Sequence, residues 1–164
     1  MSAALLRAAT RADLPAINAI YNHYVLHSTA TYQTAPSTEE EREAWFEVHG
    51  AKHPVIVAEV DGRVVGWGSL SKFHQRQAYE NSVEDSVYLH HEFLGRGIGS
   101  LVLAELLRLA KEIGHHTVLG GADGAQAASI ALHEKFGFEK VSHLKEVGFK
   151  FGKWLDVVWL QKML

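Results

Sequence analysis

The chain contains no cysteine. That absence excludes disulfides, thiolate metal sites and a covalent route through a cysteine nucleophile. Proline is scarce, three in 164 residues, and scattered, so no proline-rich linker divides the chain. There is no internal repeat and no low-complexity tract. No uncharged apolar run approaches the roughly 20 residues of a membrane-spanning helix. The opening residues lack the order of a signal peptide, with its basic start, long apolar run and small-residue cleavage site. Positive charge is not in excess: net charge is −3, and no window forms the basic stripe of a phosphate-neutralising nucleic-acid binder. The expectation is one continuous cytoplasmic domain over residues 1–164, with neither a membrane nor a nucleic acid as partner.

What is present is an ordinary globular balance, 47% hydrophobic and 21% charged, which suits a packed core. Ala4 to Ala9 reads as a short strand. Thr10, with Asp13 three residues on, reads as the cap of a helix carrying Leu14, Ile17, Ile20, Tyr21, Tyr24 and Val25 at helical spacing. Ser37 or Thr38 caps a second helix whose first turn, Glu39 to Glu41, suits the positive end of the helix dipole. Gly50 is its expected stop. Val55 to Val60 is a buried strand, Asp61-Gly62 a type I′ turn, and Arg63 to Leu70 the returning strand. Ser82 to Leu89 follows, with Val83, Asp85, Val87 and Leu89 on one face and Glu84, Ser86 and Tyr88 on the other. A long apolar helix runs from the glycine turn at 95–99 towards Gly114. His116 to Leu119 reads as a strand, Ser129 to Phe136 as a helix stopped by Gly137, and Phe138 to Leu144 and Trp154 to Met163 as the last strands. This order predicts an α/β (α+β mixed) fold, a mixed sheet with helices on both faces.

The richest segment is Gly95-Arg-Gly-Ile-Gly99, placed between a strand and a helix. Glycines let the backbone turn tightly and keep side chains out of a ligand's way. The unpaired N–H groups of the helix's first turn then form an anion site, and Arg96 adds positive charge. No Gly-Lys-Ser/Thr follows, so it is not a Walker loop, and the spacing is not the dinucleotide fingerprint. The expected anion is the pyrophosphate of another cofactor. The competing reading is tight packing of helix on strand.

Strand, Gly-Arg-Gly-Ile-Gly and amphipathic helix together resemble the acetyl-CoA-binding motif of the GCN5-related N-acetyltransferases (GNAT). Four segments resemble the phosphinothricin and methionine-sulfoximine acetyltransferase branch: Ala19 to Asn22, Val83 to Tyr88, Ala128 to Phe138 and Val147 to Asp156. The resemblance implies a GNAT-type, mostly antiparallel sheet and acetyl-CoA as co-substrate, with no metal. It implies that Val87, Tyr88 and Leu89 pair with the pantetheine arm, and that the amides of Gly95, Arg96, Gly97, Ile98, Gly99 and Ser100 hold the pyrophosphate, with Gln126 and Ser129 nearby. The chain departs from the family pattern at Leu94, where Gln or Arg is usual, and at Gln126, where Asn is usual.

Glu84 is the candidate general base, because an attacking amine is mostly protonated at neutral pH and must lose a proton. The resemblance places it where this branch has its proposed base. His133, where the branch carries His, is the second catalytic candidate, as a proton relay to the departing thiolate or a second base. His74, Gln75, Arg76 and Tyr79, in the loop before the catalytic strand, are expected in the substrate pocket, with Arg76 gripping a carboxylate. Asp85, Ser86 and Lys150 are further substrate candidates. Lys150, Lys153 and Trp154 lie in a C-terminal signature that closes the site in relatives, in part across a dimer. The branch also implies a homodimer. The 11 histidines give no metal motif: His90-His91 and His115-His116 are expected on opposite sides of a strand, and no H-E-x-x-H helix exists. The implied activity is N-acetylation of a small amino acid or analogue. The alternatives are another amine, such as a polyamine, an aminoglycoside or a protein N-terminus, and a non-catalytic acyl-CoA-binding module.

Overall fold

The computed structural model describes residues 2–164. Its elements are β1 (Leu5–Ala8), α1 (Leu14–His27), α2 (Glu39–Glu47), β2 (Val55–Val60), β3 (Arg63–Lys72), β4 (Ser82–Leu89), α3 (Ile98–Ile113), β5 (Thr117–Ala122), α4 (Ala127–Lys135), β6 (Glu139–Lys150) and β7 (Lys153–Met163), with short 3₁₀ turns between some of them. This is the order expected from the pattern.

Local chemistry explains the starts and stops. The Asp13 carboxylate accepts from the Thr10 N–H at 2.8 Å and is held by Arg7 at 2.8 and 2.9 Å. The cap opens a 3₁₀ turn, Arg11–Asp13, which runs into α1. At α2, Thr38 Oγ1 accepts from the Glu41 N–H at 3.1 Å and the Glu41 carboxylate accepts from the Thr38 N–H at 2.9 Å, a reciprocal capping box. Asp61 and Gly62 both have positive φ, as a type I′ turn requires.

Of the boundaries that differ from expectation, three bear on the fold. Gly50 does not end α2: the helix stops at Glu47, and Gly50 pairs with His53. β5 runs on to Ala122 because β7 pairs with it through Gly120, Gly121 and Ala122. β6 continues past Leu144 to Lys150, with register shifts at Lys140/Ser142 and Leu144/Gly148. Each bulge resets the alternation, so a period-2 pattern is lost there.

The seven strands form one sheet in the order β1-β2-β3-β4-β5-β7-β6. Every neighbour pair is antiparallel except β4 with β5. One face packs on α1 and α2 through Leu14, Ile17, Ile20, Val57 and Trp67. The other packs on α3 and α4 through Ile56, Ala58, Leu70, Val83, Val102, Leu106 and Ile130. Among the described residues no helix is long and apolar enough to cross a membrane.

The functional consequence lies at the parallel pair. β4 and β5 are in register only over Ser82–Glu84 against Thr117–Leu119. Beyond Glu84 the two strands part, and β5 stays with β7. From Asp85 to Leu89, β4 therefore has no strand on that side among the described residues. Its outward backbone groups face a wedge in which they must find another partner.

Candidate functional site

Two cavities open into the wedge, one from each face of the sheet. The larger, about 650 Å³, lies under α1 and α2. The smaller, about 410 Å³, follows β4 to the start of α3 and the side of α4. They meet at Glu84, Ser86, Tyr88, Gly121, Ala122 and Asp123, which line both.

The smaller cavity gathers most of the residues expected to hold a cofactor: Val87, Tyr88, Leu89, Gly95, Gly97, Gly99, Ser100, Gln126 and Ser129 all line it. Gly97 caps α3 with φ +80, a conformation that costs a residue with a Cβ dearly. The first α3 bond runs from the Leu101 N–H to the Gly97 carbonyl at 3.2 Å. The N–H groups of Ile98, Gly99 and Ser100 thus have no acceptor within the helix. A Cβ on Gly95 or Gly97 would meet no protein atom within 4 Å; it would stand in the open space of the cradle. The donor set and the room fit a pyrophosphate. Arg96 and Ile98 are not among the lining residues. The Ile98 side chain is in the core, and the Arg96 guanidinium lies over the Phe93 ring at 4.7 Å. The Gln126 amide donates to Thr29 Oγ1 at 3.1 Å, tying α4 to the loop after α1.

Glu84 sits where the cavities join, on the last β4 residue in register with β5. The strand alternation expected from sequence holds: Val83 and Asp85 are buried on the α3 side, and Glu84, Ser86 and Tyr88 line the larger cavity. Burial, with Asp85 adjacent, pushes the Glu84 carboxyl up to about 7. A carboxyl with that pKa is poised to take a proton at neutral pH.

Asp85 and His133 are both buried and bonded to each other. His133 Nε2 is 3.0 Å from both Asp85 oxygens, and Nδ1 is 2.7 Å from the Ser129 carbonyl. Carbonyl and carboxylate oxygens only accept, so opposite an ionised Asp85 both bonds are donated by the ring, an arrangement that favours its protonated form. Burial alone would lower its pKa, but the Asp85 hydrogen bond and charge outweigh it, and the pKa is raised. In its protonated form the ring has no lone pair with which to act as a base. Asp85 lines the smaller cavity, with both carboxylate oxygens within reach of the His133 ring.

Other expected substrate residues are placed elsewhere. His74, Gln75, Arg76 and Tyr79 line neither cavity. His74 Nδ1 accepts from the Arg76 N–H at 3.1 Å and its ring packs on Tyr79, so the loop is organised on itself. Lys150 is 4% exposed, and its ammonium donates to the carbonyls of Ser28 (2.7 Å), Thr31 (2.8 Å) and Tyr24 (3.4 Å). It caps the end of α1 and pins the loop that lines the larger cavity, and has no donor left for a substrate. Lys150→Met is expected to cost about 1–3 kcal/mol of stability, because three buried or half-buried carbonyls lose their donor. Chemical denaturation measures it, and an unchanged midpoint would contradict the latch. The adjacent histidines also differ from expectation. His90 and His91 lie past the end of β4 with stacked rings, and His115 lies in the loop before β5. Among the described residues no group of His, Asp or Glu is arranged to hold a metal.

Sequence reasoning missed the far wall of the larger cavity: Tyr21 from α1, Tyr32 and Gln33 from the loop, Arg42 and Trp45 from α2, and Trp67 from β3. The available signal was Arg42 with Trp45 at i,i+3, which share a helix face in an otherwise acidic helix.

Residues 17–138 match the Acetyltransferase (GNAT) family. The chain is 37% identical to the L-methionine sulfoximine/L-methionine sulfone acetyltransferase of Salmonella typhimurium, over 97% of this chain and 94% of that protein. It superposes with a TM-score of 0.95 on the phosphinothricin acetyltransferase of Sinorhizobium meliloti solved with acetyl-CoA, at 40% identity over 98% of this chain and 88% of that one. The ribosomal-protein-alanine N-acetyltransferase of Brucella melitensis also superposes with a TM-score of 0.95, at 43% identity over 98% of this chain and 99% of that one. A wedge between β4 and β5, a glycine cradle at α3 and a buried carboxyl between them thus occur in a chain that belongs to the GNAT acetyltransferase family.

Proposed function

We propose that this protein transfers the acetyl group of acetyl-CoA to the α-amino group of a small amino acid or analogue, such as phosphinothricin, methionine sulfoximine or methionine sulfone. The observation that carries this reading is Glu84, held near pKa 7 where a cofactor-shaped cavity meets a second cavity of about 650 Å³. That volume is of small-molecule size. Acetyl-CoA supplies the thioester carbonyl that the amine attacks and the thiolate that leaves. The open edge of β4 at Val87–Leu89 pairs with its pantetheine arm, and the N–H groups at the start of α3 hold its pyrophosphate. Glu84 removes the amine's proton, directly or through one water. Backbone N–H groups in the wedge stabilise the oxyanion. Attack is direct, in a ternary complex, and the lack of cysteine agrees with that. Asp85 and His133 act as a positioning pair, fixing α4 against the β4 edge.

One domain over residues 1–164 is supported by the single sheet with both faces covered; Met1 lies outside the described residues. A cytoplasmic homodimer is the matching assembly. β6 is a sheet edge with Val141, Val147 and Phe149 more than half exposed, and Trp154 beside it. Such an apolar edge calls for a covering partner.

The test is acetyl-CoA-dependent thiol release over a panel: phosphinothricin, methionine sulfoximine, methionine sulfone, ordinary amino acids, spermidine, an aminoglycoside and a peptide with N-terminal alanine. Turnover of the first three is expected. Turnover of the peptide alone would transfer the reading to protein N-termini. Silence across the panel with acetyl-CoA still binding would favour a non-catalytic module.

A further inference from the structure

The larger cavity is lined by a buried arginine whose two Nη groups have no hydrogen-bond acceptor among the described residues. Arg42 is 4% exposed. Its guanidinium lies 4.7 Å from the Tyr21 ring centre, 4.6 Å from that of Trp45 and 5.7 Å from that of Trp67. Only Nε is bonded, to Asn18 Oδ1 at 3.1 Å. Among the described residues its two Nη groups have no hydrogen-bond partner and no carboxylate at ion-pair distance. The carboxylate on the same cavity wall, Glu41, is occupied by the Thr38 N–H. The indole N–H of Trp67 is also buried without a partner. The aromatic faces and Asn18 stabilise the Arg42 charge, and its Nη groups, unlike the fully shielded Trp67 N–H, keep contact with the cavity they line. A ligand that brings oxygen acceptors would pair with them.

Position decides which oxygens. Trp67 is paired with Tyr88, and Ser71 with Glu84. The Arg42 box is therefore about four strand residues, roughly 13 Å along β4, from the base. With the amine at Glu84, a carboxylate on the same carbon stays near Glu84. An oxygen at the end of the side chain points towards Arg42. We infer that Arg42, framed by Tyr21, Trp45 and Trp67, is the specificity residue that binds a phosphinate, sulfone or sulfoximine oxygen at the tip of the substrate's side chain. This rests on the amino-acid N-acetylation reading above.

The test compares kcat/KM for methionine sulfone and phosphinothricin with that for norleucine, which has no side-chain oxygen, in wild type, Arg42→Gln and Arg42→Lys. Acetyl-CoA affinity and the thermal melt report folding. Arg42→Gln is expected to lose about 100-fold on the two oxygen-bearing substrates and less than about threefold on norleucine. Arg42→Lys, which keeps the charge and loses the fork, falls between. An equal loss on all three substrates would overturn the inference and make Arg42 a scaffold residue or a carboxylate ligand. Unchanged selectivity in folded variants would overturn it as well. No turnover of any amino acid by wild type would instead overturn the function on which it rests.

Discussion

Glu84→Gln is expected to lower kcat by about 10²- to 10⁴-fold while acetyl-CoA binds as tightly as to wild type. The variant keeps the size of the side chain and the β4 edge and removes only the proton acceptor. The same change should stabilise the fold. Folding holds this carboxyl protonated up to about 7, against roughly 4.3 for a free glutamate. Its contribution to stability is complete below the free value and is lost as pH rises through about 7, because the unfolded chain then binds fewer protons than the folded one. At pH 8 a neutral Gln avoids that loss. Glu84→Gln should melt higher there, by the equivalent of about 1–3 kcal/mol, and the difference should shrink towards pH 4. A base that weakens its own fold is a common cost of function. Wild-type turnover by the variant would remove Glu84 from the mechanism.

The second large effect is at Asp85. Asp85→Asn leaves the buried His133 imidazolium without its counter-charge, and breaking such a pair costs about 3–5 kcal/mol. For a domain of this size that is roughly a 10 °C fall in melting temperature. The pH dependence follows from His133, whose pKa is raised in the fold. The pair's contribution is complete below the ordinary histidine value and is lost as pH rises through the raised one. Wild type should lose this part of its stability on the alkaline side, and Asp85→Asn should not. Gly120→Ala attacks the same pair from β5, because a Cβ there would lie 2.6 Å from His133 Nε2. A melt of Asp85→Asn within a degree or two of wild type would show that the pair carries little.

The element order and the glycine turn at the start of α3 were legible because they rest on local signals. Ser37 or Thr38 ahead of the acidic turn Glu39 to Glu41, Asp61-Gly62 and the glycines at 95–99 each announce a cap or a turn within a few residues. Glu84 was legible for a related reason: alternation in β4 sets it opposite Val83. The far wall of the larger cavity was not legible, because Tyr21, Arg42 and Trp67 meet only through tertiary packing of α1, α2 and β3. Lys150 misled for the same reason. A lysine in a C-terminal signature reads as a surface cation, and nothing near it in sequence shows that the end of α1 supplies three carbonyls. The length of β6 was hidden by its bulges, which erase the period on which a strand is recognised.

The central claim, that Glu84 takes the proton at the meeting point of the two cavities, is tested most directly by the pH dependence of kcat/KM with methionine sulfone at saturating acetyl-CoA. The profile of wild type should rise through an inflection near 7, where the Glu84 carboxyl ionises, separate from the later ionisation of the amine itself. Glu84→Gln should lack that inflection. A wild-type profile governed by the amine alone, or an inflection near 7 that survives in Glu84→Gln, would contradict the assignment.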